Sequence, residues 1–243
     1  MLKGWMKMKE MQALYHYEIL TLDKTDLIHK AASCLAKAFV GTNVSGVWIQ
    51  EPLVGQLKIG YEDFCLFVKD YLDAVVEQGY CAVAQDIDGE VVGTLIGNTN
   101  VPEISGEHLF EGSLEGVNVV MDVFKVIDDR FVADYKNRNN QELKNGELLH
   151  LVWVGIIAES DRHEIIKQLG NLLIKKATSQ GLKLVMVEAT NFKSIRVAEK
   201  YYGMEKYQDL DGNQIVYKYE DNDQLSGISP HIGDGVYILT KEL

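Results

Sequence analysis

Leu148-Leu149-His150-Leu151-Val152-Trp153-Val154-Gly155-Ile156-Ile157-Ala158 is the stretch whose reading decides the fold. It carries a single polar side chain and no alternation of period two, the pattern of a central strand covered on both faces. Glu159-Ser160-Asp161-Arg162-His163-Glu164 then opens a helix read over 161–179. A second apolar run over 182–189 is followed by a helix over 193–202. Strand, helix, strand, helix requires the two strands to pair in parallel, because a crossover of that length returns the chain in the same direction.

Working outward, the N-terminal half is richer in turns. Alternation over 17–22 reads as a strand, and Thr25/Asp26 offers an N-cap before Leu27, Ile28, Ala31, Ala32, Leu35, Ala36 and Phe39 at helical spacing. Phe64, Phe67, Val68, Tyr71, Leu72, Val75 and Val76 predict a second helix, ended by Gly79. The runs 81–87 and 90–96 are two strands joined across Asp88-Gly89, a two-residue hairpin signal. After a polar loop, Val117, Val120, Phe124, Ile127, Phe131 and Tyr135 predict a long amphipathic helix. Beyond residue 202, runs at 205–209, 214–219 and 236–240 separated by Asp211-Gly212 and a Gly-rich loop predict an antiparallel end to the sheet. The fold class is α/β, an α+β arrangement with a mixed sheet flanked by helices.

Composition bounds the function. With 243 residues, 47% hydrophobic and only three Pro, the chain is expected to form one domain over 15–243 after an N-terminal extension, 1–14. No apolar run approaches the roughly 18 residues that cross a bilayer, and Met1-Leu2-Lys3-Gly4-Trp5 leads into no apolar core or cleavage site. A soluble, cytoplasmic protein is expected, without a membrane partner, as a monomer or homodimer. Cys34, Cys65 and Cys81 are odd in number and lack metal-ligand spacing, so they read as buried thiols, and no metal is expected. A net charge of -12 argues against nucleic acid, which needs a basic face, and favours cationic small molecules.

One dipeptide stands out among the glycines at 41, 46, 55 and 60. Glu51 precedes Pro52, which restricts it to extended backbone. By itself the pair marks a turn.

The hairpin, the buried strand entering a helix, and the second strand and helix ending in Tyr202-Gly203-Met204 resemble the GCN5-related N-acetyltransferase (GNAT) superfamily. The resemblance is closest to the insect arylalkylamine type and covers nearly the whole chain. It is carried by Glu51-Pro52-Leu53, Asp88-Gly89 with Val92-Gly93, Ala189-Thr190 with Ser194 and Arg196, Tyr217-Lys218-Tyr219, Pro230-His231 and the ending Lys241-Glu242-Leu243.

The resemblance implies acetyl transfer from acetyl-CoA to a small-molecule primary amine, with Glu51 as general base. A protonated amine has no lone pair for a thioester until a base removes its proton. It further implies that backbone groups at Gly155, Ile156 and Ile157 pair with the pantetheine arm, and that Asn191 lies near the cofactor with Ser194 in a supporting role. The diphosphate would sit on the helix start, where the superfamily places glycines whose bare amides hold phosphate. Here that turn reads Arg162-His163-Glu164-Ile165-Ile166-Lys167, so Arg162, His163 and Lys167 would have to compensate. Asp161 and Glu164 are positioned for a capping box that would consume the amides. The family's Tyr acid is replaced by Glu199. Tyr201 and Tyr202 follow, at most one of them facing the sulfur, and Tyr201 is the candidate. Trp48 and His231 are candidate acceptor contacts. His150 reads as a hydrogen-bonded core residue. The missing glycines and the missing Tyr leave a second reading open, a catalytically silent member that binds an acyl-CoA or a partner.

Overall fold

In the computed structural model, which describes residues 14–100 and 110–243, strand β1 (His16–Ile19) leads into helix α1 (Thr25–Val40). Apart from Leu14, the expected extension lies outside the described residues. Ile28, Ala31, Ala32, Leu35 and Ala36 of α1 are buried at the spacing the sequence shows. The helix begins from Lys24 with no side-chain cap, so the N-cap expected at Thr25/Asp26 does not form. The glycine-flanked loop holds two elements not expected from the sequence, a hairpin of β2 (Thr42–Val44) and β3 (Val47–Ile49) and a short helix α2 (Pro52–Gln56). Helix α3 (Tyr61–Val75) follows, and a 3-10 turn carries it to Gly79, whose φ of 77° ends it.

Strands β4 (Cys81–Gln85) and β5 (Val91–Asn98) form the expected hairpin through a three-residue loop instead of a two-residue one. The Asp86 amide donates to Glu90 O at 2.9 Å, and Asp86 Oδ1 accepts from the amides of Asp88 and Glu90. Gly89 takes the left-handed position that this loop requires. Asp209 to Asn213 repeats the device, with Asp209 Oδ1 accepting from Asp211 and Asn213 and Gly212 left-handed.

Helix α4 (Glu115–Asn139) precedes β6 (Leu148–Ile156), α5 (Arg162–Ser179) and β7 (Leu184–Ala189). Helix α6 (Phe192–Val197) then runs into a π turn, Ala198–Tyr202. Strands β8 (Glu205–Lys206), β9 (Val216–Lys218) and β10 (Gly235–Glu242) complete the chain. The sheet order is β1-β4-β5-β6-β7-β10-β8, with β9 also on β10, and among the described strands only β6 and β7 pair in parallel. One sheet face packs against α5 and the π turn through Leu149, Leu151, Val185, Ile165 and Leu169. The other packs against α1 and α3 through Val83 and Ile96, and against α4 through Leu148, Met186 and Ile238.

The feature that opens a site is a bulge. Opposite β5, Gly97 pairs with Leu151 and Ile96 with Trp153, leaving Val152 as an extra residue. A bulge bends the strand and ends regular pairing. On the other edge of β6, pairing with β7 stops at His150–Met186, so the edge of β6 beyond His150 has no strand beside it.

Candidate active site

Pro52 places Glu51. The residue before a proline is extended, and Glu51 has φ -81° and ψ 128°, which makes it the N-cap of α2 with Pro52 as first helical residue. Its own amide donates to Phe39 O at 2.9 Å, tying the turn to the end of α1. Oε2 accepts from the Val54 amide at 2.9 Å and Oε1 from the Thr190 hydroxyl at 2.8 Å. A carboxylate has about four lone-pair sites, so both oxygens keep capacity for a further donor. Burial pushes the Glu51 pKa up to about 6, against the pull of those two hydrogen bonds. Thr190 is itself held, its carbonyl accepting from the buried Tyr219 hydroxyl.

Glu51 lines a pocket of about 1150 Å³ that runs between the unpaired edge of β6 and the end of β7. The same pocket collects Trp48, Gly155, Ile156, Ile166, Asn191, Ser194 and His231 from the residues expected at the site. Trp48 is 60% exposed and lies over Gly41, where an added Cβ would sit 2.3 Å from its ring. His231 is exposed in the loop before β10. Gly155 is a glycine for packing: a Cβ there would meet Ala38 at 2.8 Å and Leu35 at 3.0 Å. Asn191 caps α6, its Oδ1 accepting from Lys193 and Ser194 amides at 3.0 Å, and Ser194 Oγ accepts back from the Asn191 amide, a complete capping box.

The remaining expected residues are not gathered there. Ile157 spends its amide on Val92 O. Ile165 is fully buried, and Gly93 on β5 supplies its room, since a Cβ at Gly93 would come 2.8 Å from it. Arg162, His163, Lys167 and Tyr201 do not line the pocket; the His163 and Tyr201 rings lie 6.0 Å apart and Lys200 sits over Tyr201. The inward tyrosine is Tyr202, because the π turn adds a residue to the repeat and changes the phase of the helix. Its hydroxyl donates to Ile166 O at 3.0 Å, and its ring packs where a Cβ on Gly170 would be 2.0 Å away. Tyr202 is thus committed to the core.

The pocket has a polar end that the sequence does not announce. His150 is 8% exposed, and its Nε2 lies 2.5 Å from Glu188 Oε2. The Glu188 side chain is 3% exposed, and behind it Asp128 of α4 is 2% exposed, with both Asp128 oxygens and Glu188 Oε1 buried and unpaired by any other group. Burial, then the Glu188 charge, pushes the Asp128 pKa up to about 10, so Asp128 stays neutral and has a proton to offer Glu188. Burial also pushes Glu188 up, but the charge and hydrogen bond of His150, with that of Asp128, bring it below the usual carboxylate range. Asn98, opposite His150 across β5, donates to the Tyr71 hydroxyl at 2.6 Å, and Tyr71 packs 4.8 Å from Trp153 between ring centroids. The signals were present: Asp128 lies on the apolar face of α4, four residues after Phe124, and Glu188 is the one charge within an apolar strand.

No protein-family model and no curated protein sequence matches this chain. Solved structures do. A putative arylalkylamine N-acetyltransferase 7 from the yellow fever mosquito Aedes aegypti superposes with a TM-score of 0.67 at 14% identity, over 94% of this chain and 87% of that one. A polyamine N-acetyltransferase of Drosophila melanogaster gives 0.60 at 16%, over 94% and 100%. The C-terminal condensation domain of Ebony, solved with beta-alanyl-dopamine, gives 0.59 at 15%, over 94% and 99%. The chain has the GNAT fold. At these identities the likeness is one of architecture, and the site must be judged on its own residues.

Judged so, β6 has an edge without a partner strand at Gly155 and Ile156, and both residues line the pocket. The start of α5 differs from the expectation. Asp161 adopts φ 56° and caps nothing, and Glu164 turns to Gln168 at 2.6 Å and Lys167 at 3.6 Å, so the expected capping box does not form. The first amides of α5, at Arg162 and His163, are therefore not taken by a carboxylate. Amides at a helix start favour an anion, and Glu159, Asp161 and Glu164 around them oppose it.

Proposed function

We propose that this protein is an acetyl-CoA-dependent N-acetyltransferase acting on a small primary amine of the arylalkylamine or polyamine type. The observation that carries the reading is Glu51, a partly buried carboxylate with a pKa near 6 in the wall of a pocket bounded by an unpaired strand edge. A base of that pKa is ionised at neutral pH yet close enough to it to accept a proton readily. Acetyl-CoA is a co-substrate that supplies the thioester, and the residues suited to its arm are Gly155 and Ile156, with the Arg162 and His163 amides and the Arg162 guanidinium for its phosphates. Glu51 takes the proton of the ammonium group, and the free amine attacks in a ternary complex without a covalent enzyme intermediate. The aromatic wall of Phe64, Phe67, Tyr71 and Trp153 suits an arylalkyl group, and the net charge of -12 suits any ammonium. Ser194 supports the reaction by holding the turn after Thr190.

Free thiol released from acetyl-CoA, measured against arylalkylamines, diamines and amino acids, tests the proposal. Amine-dependent release is expected, and release with no amine in the panel would overturn it by removing acceptor dependence. The acidic surround of the α5 start favours a second reading, a silent protein that binds an acyl-CoA without transfer. Calorimetric titration showing acetyl-CoA binding with no amine-dependent thiol release would select it.

A further inference from the structure

Acetyl transfer to an ammonium group moves more than one proton. The nitrogen loses two, one before it attacks and one after the C–N bond has formed, while the departing sulfur must gain one. Glu51 accounts for the first, and the tyrosines expected to serve the sulfur are unsuited, Tyr202 being bonded to Ile166 O and Tyr201 lying off the pocket. Of the other proton-carrying groups that line the pocket, among them His231, Lys193 and Tyr71, His150 is the buried one whose ring is held by a carboxylate.

Its setting is built from four elements. Nε2 faces Glu188 on β7, Glu188 faces Asp128 on α4, and Asn98 on β5 stands opposite with Tyr71 of α3 bonded to it. Tyr71 is the other titratable group near Glu188, and burial followed by the Glu188 charge pushes it up to about 12, so it stays neutral. Two nine-tenths-buried carboxyls with no other counter-charge are expensive unless they hold something in place. Here a neutral Asp128 has a proton to offer the otherwise unpaired Glu188 Oε1, which leaves Glu188 Oε2 as the acceptor for the Nε2 proton. That leaves Nδ1, which has no hydrogen-bonding partner among the described residues, on a ring that lines the pocket at the point where β6 parts from β7. A carboxylate that binds one imidazole nitrogen sets the other as a proton acceptor.

We propose that His150 is the second proton-transfer group of this site, with Glu188 and Asp128 as its positioning residues. The inference rests on the transferase reading above. The balance is complete: the C–N bond forms, the second nitrogen proton passes to Nδ1, the C–S bond breaks with its electron pair on sulfur, and the sulfur takes that proton from the imidazolium. Glu51 returns the first proton to solvent.

The test uses the full chain with acetyl-CoA and with an acetyl nitrothiophenyl thioester, whose leaving group needs no proton. His150→Gln is expected to lower kcat with acetyl-CoA about 100-fold, the lower range for general acid–base groups, and to lower it much less with the activated donor. Its pH–rate profile should lose one ionisation of the wild type. Asp128→Asn retains a neutral donor to Glu188 and should stay within a few-fold of wild type, whereas Asp128→Ala should fall with His150→Gln. Circular dichroism melts and acetyl-CoA calorimetry on each variant separate folding from catalysis. Equal losses with both donors, or an unchanged profile in His150→Gln, would overturn the role of His150 while leaving the transferase reading intact. A wild-type chain without amine-dependent thiol release would instead overturn that reading, and this one with it.

Discussion

The two ends of the pocket hold their carboxylates by opposite means. Glu51 sits at a turn, accepts from one backbone amide and one hydroxyl, and is raised only to about 6. At the far end Glu188 and Asp128 are packed between a strand and a long helix, and the second of them is kept neutral up to about 10. Hydrogen bonds from uncharged donors tune a group within the working pH range, whereas a carboxyl pair in low dielectric pushes its pKa values far apart. The first arrangement suits a group that must exchange protons with solvent, the second a group that must not.

The largest break in this contrast comes from removing one charge at the turn. Glu51→Gln keeps an acceptor for the Val54 amide, so α2 should persist while turnover falls by about two to four orders of magnitude, measured as amine-dependent thiol release. The same variant reports on stability. A carboxyl raised from its ordinary 4.5 to about 6 adds stability that is present below 4.5 and lost as the pH rises through 6, roughly 2 kcal/mol in all. Urea melts should show that pH dependence in wild type and its absence in Glu51→Gln.

The polar end gives a slope of the same sign over a wider window. Asp128 is protonated in the fold up to about 10 and ordinarily ionises at 3.8, so its contribution is lost progressively between those values as pH rises. The slope is at most about 1.4 kcal/mol per pH unit. Asp128→Asn has no proton to lose, and its stability curve should be flatter than that of wild type between about pH 5 and about pH 9 when melts are compared.

The same contrast explains what was legible in the sequence. Glu51 could be read because its conformation is local: Pro52 dictates the backbone and the glycines mark the loop. The buried strand, the parallel pair and the antiparallel end followed from apolar runs and turns for the same reason. His150, Glu188 and Asp128 come from β6, β7 and α4 and meet only after the sheet has assembled, so no spacing links them. Helical phase says that at most one of Tyr201 and Tyr202 faces inward but not which, and the π turn that contains both changes that phase. The missing phosphate glycines were legible, but not their consequence, since Gly93 on the neighbouring strand makes the room that Ile165 takes up.

The smallest change sharpens the comparison most directly. Thr190→Val keeps the shape of the side chain and leaves the Thr190 carbonyl bond to Tyr219 in place, so what is lost is the hydroxyl, which donates to Glu51 Oε1 and accepts the longer 3.3 Å bond from Asn191 Nδ2. That hydrogen bond lowers the Glu51 pKa, and losing it moves the pKa upward from about 6. A net hydrogen bond of about 1 kcal/mol corresponds to a shift of somewhat less than one unit. The acid limb of the kcat/KM profile should move to higher pH by that amount, with the plateau rate nearly unchanged. A role confined to packing would lower the melting temperature and leave the limb where it was. A limb that stays fixed in Thr190→Val but disappears in His150→Gln would assign the ionisation to the polar end and reverse the roles of the two carboxylate settings.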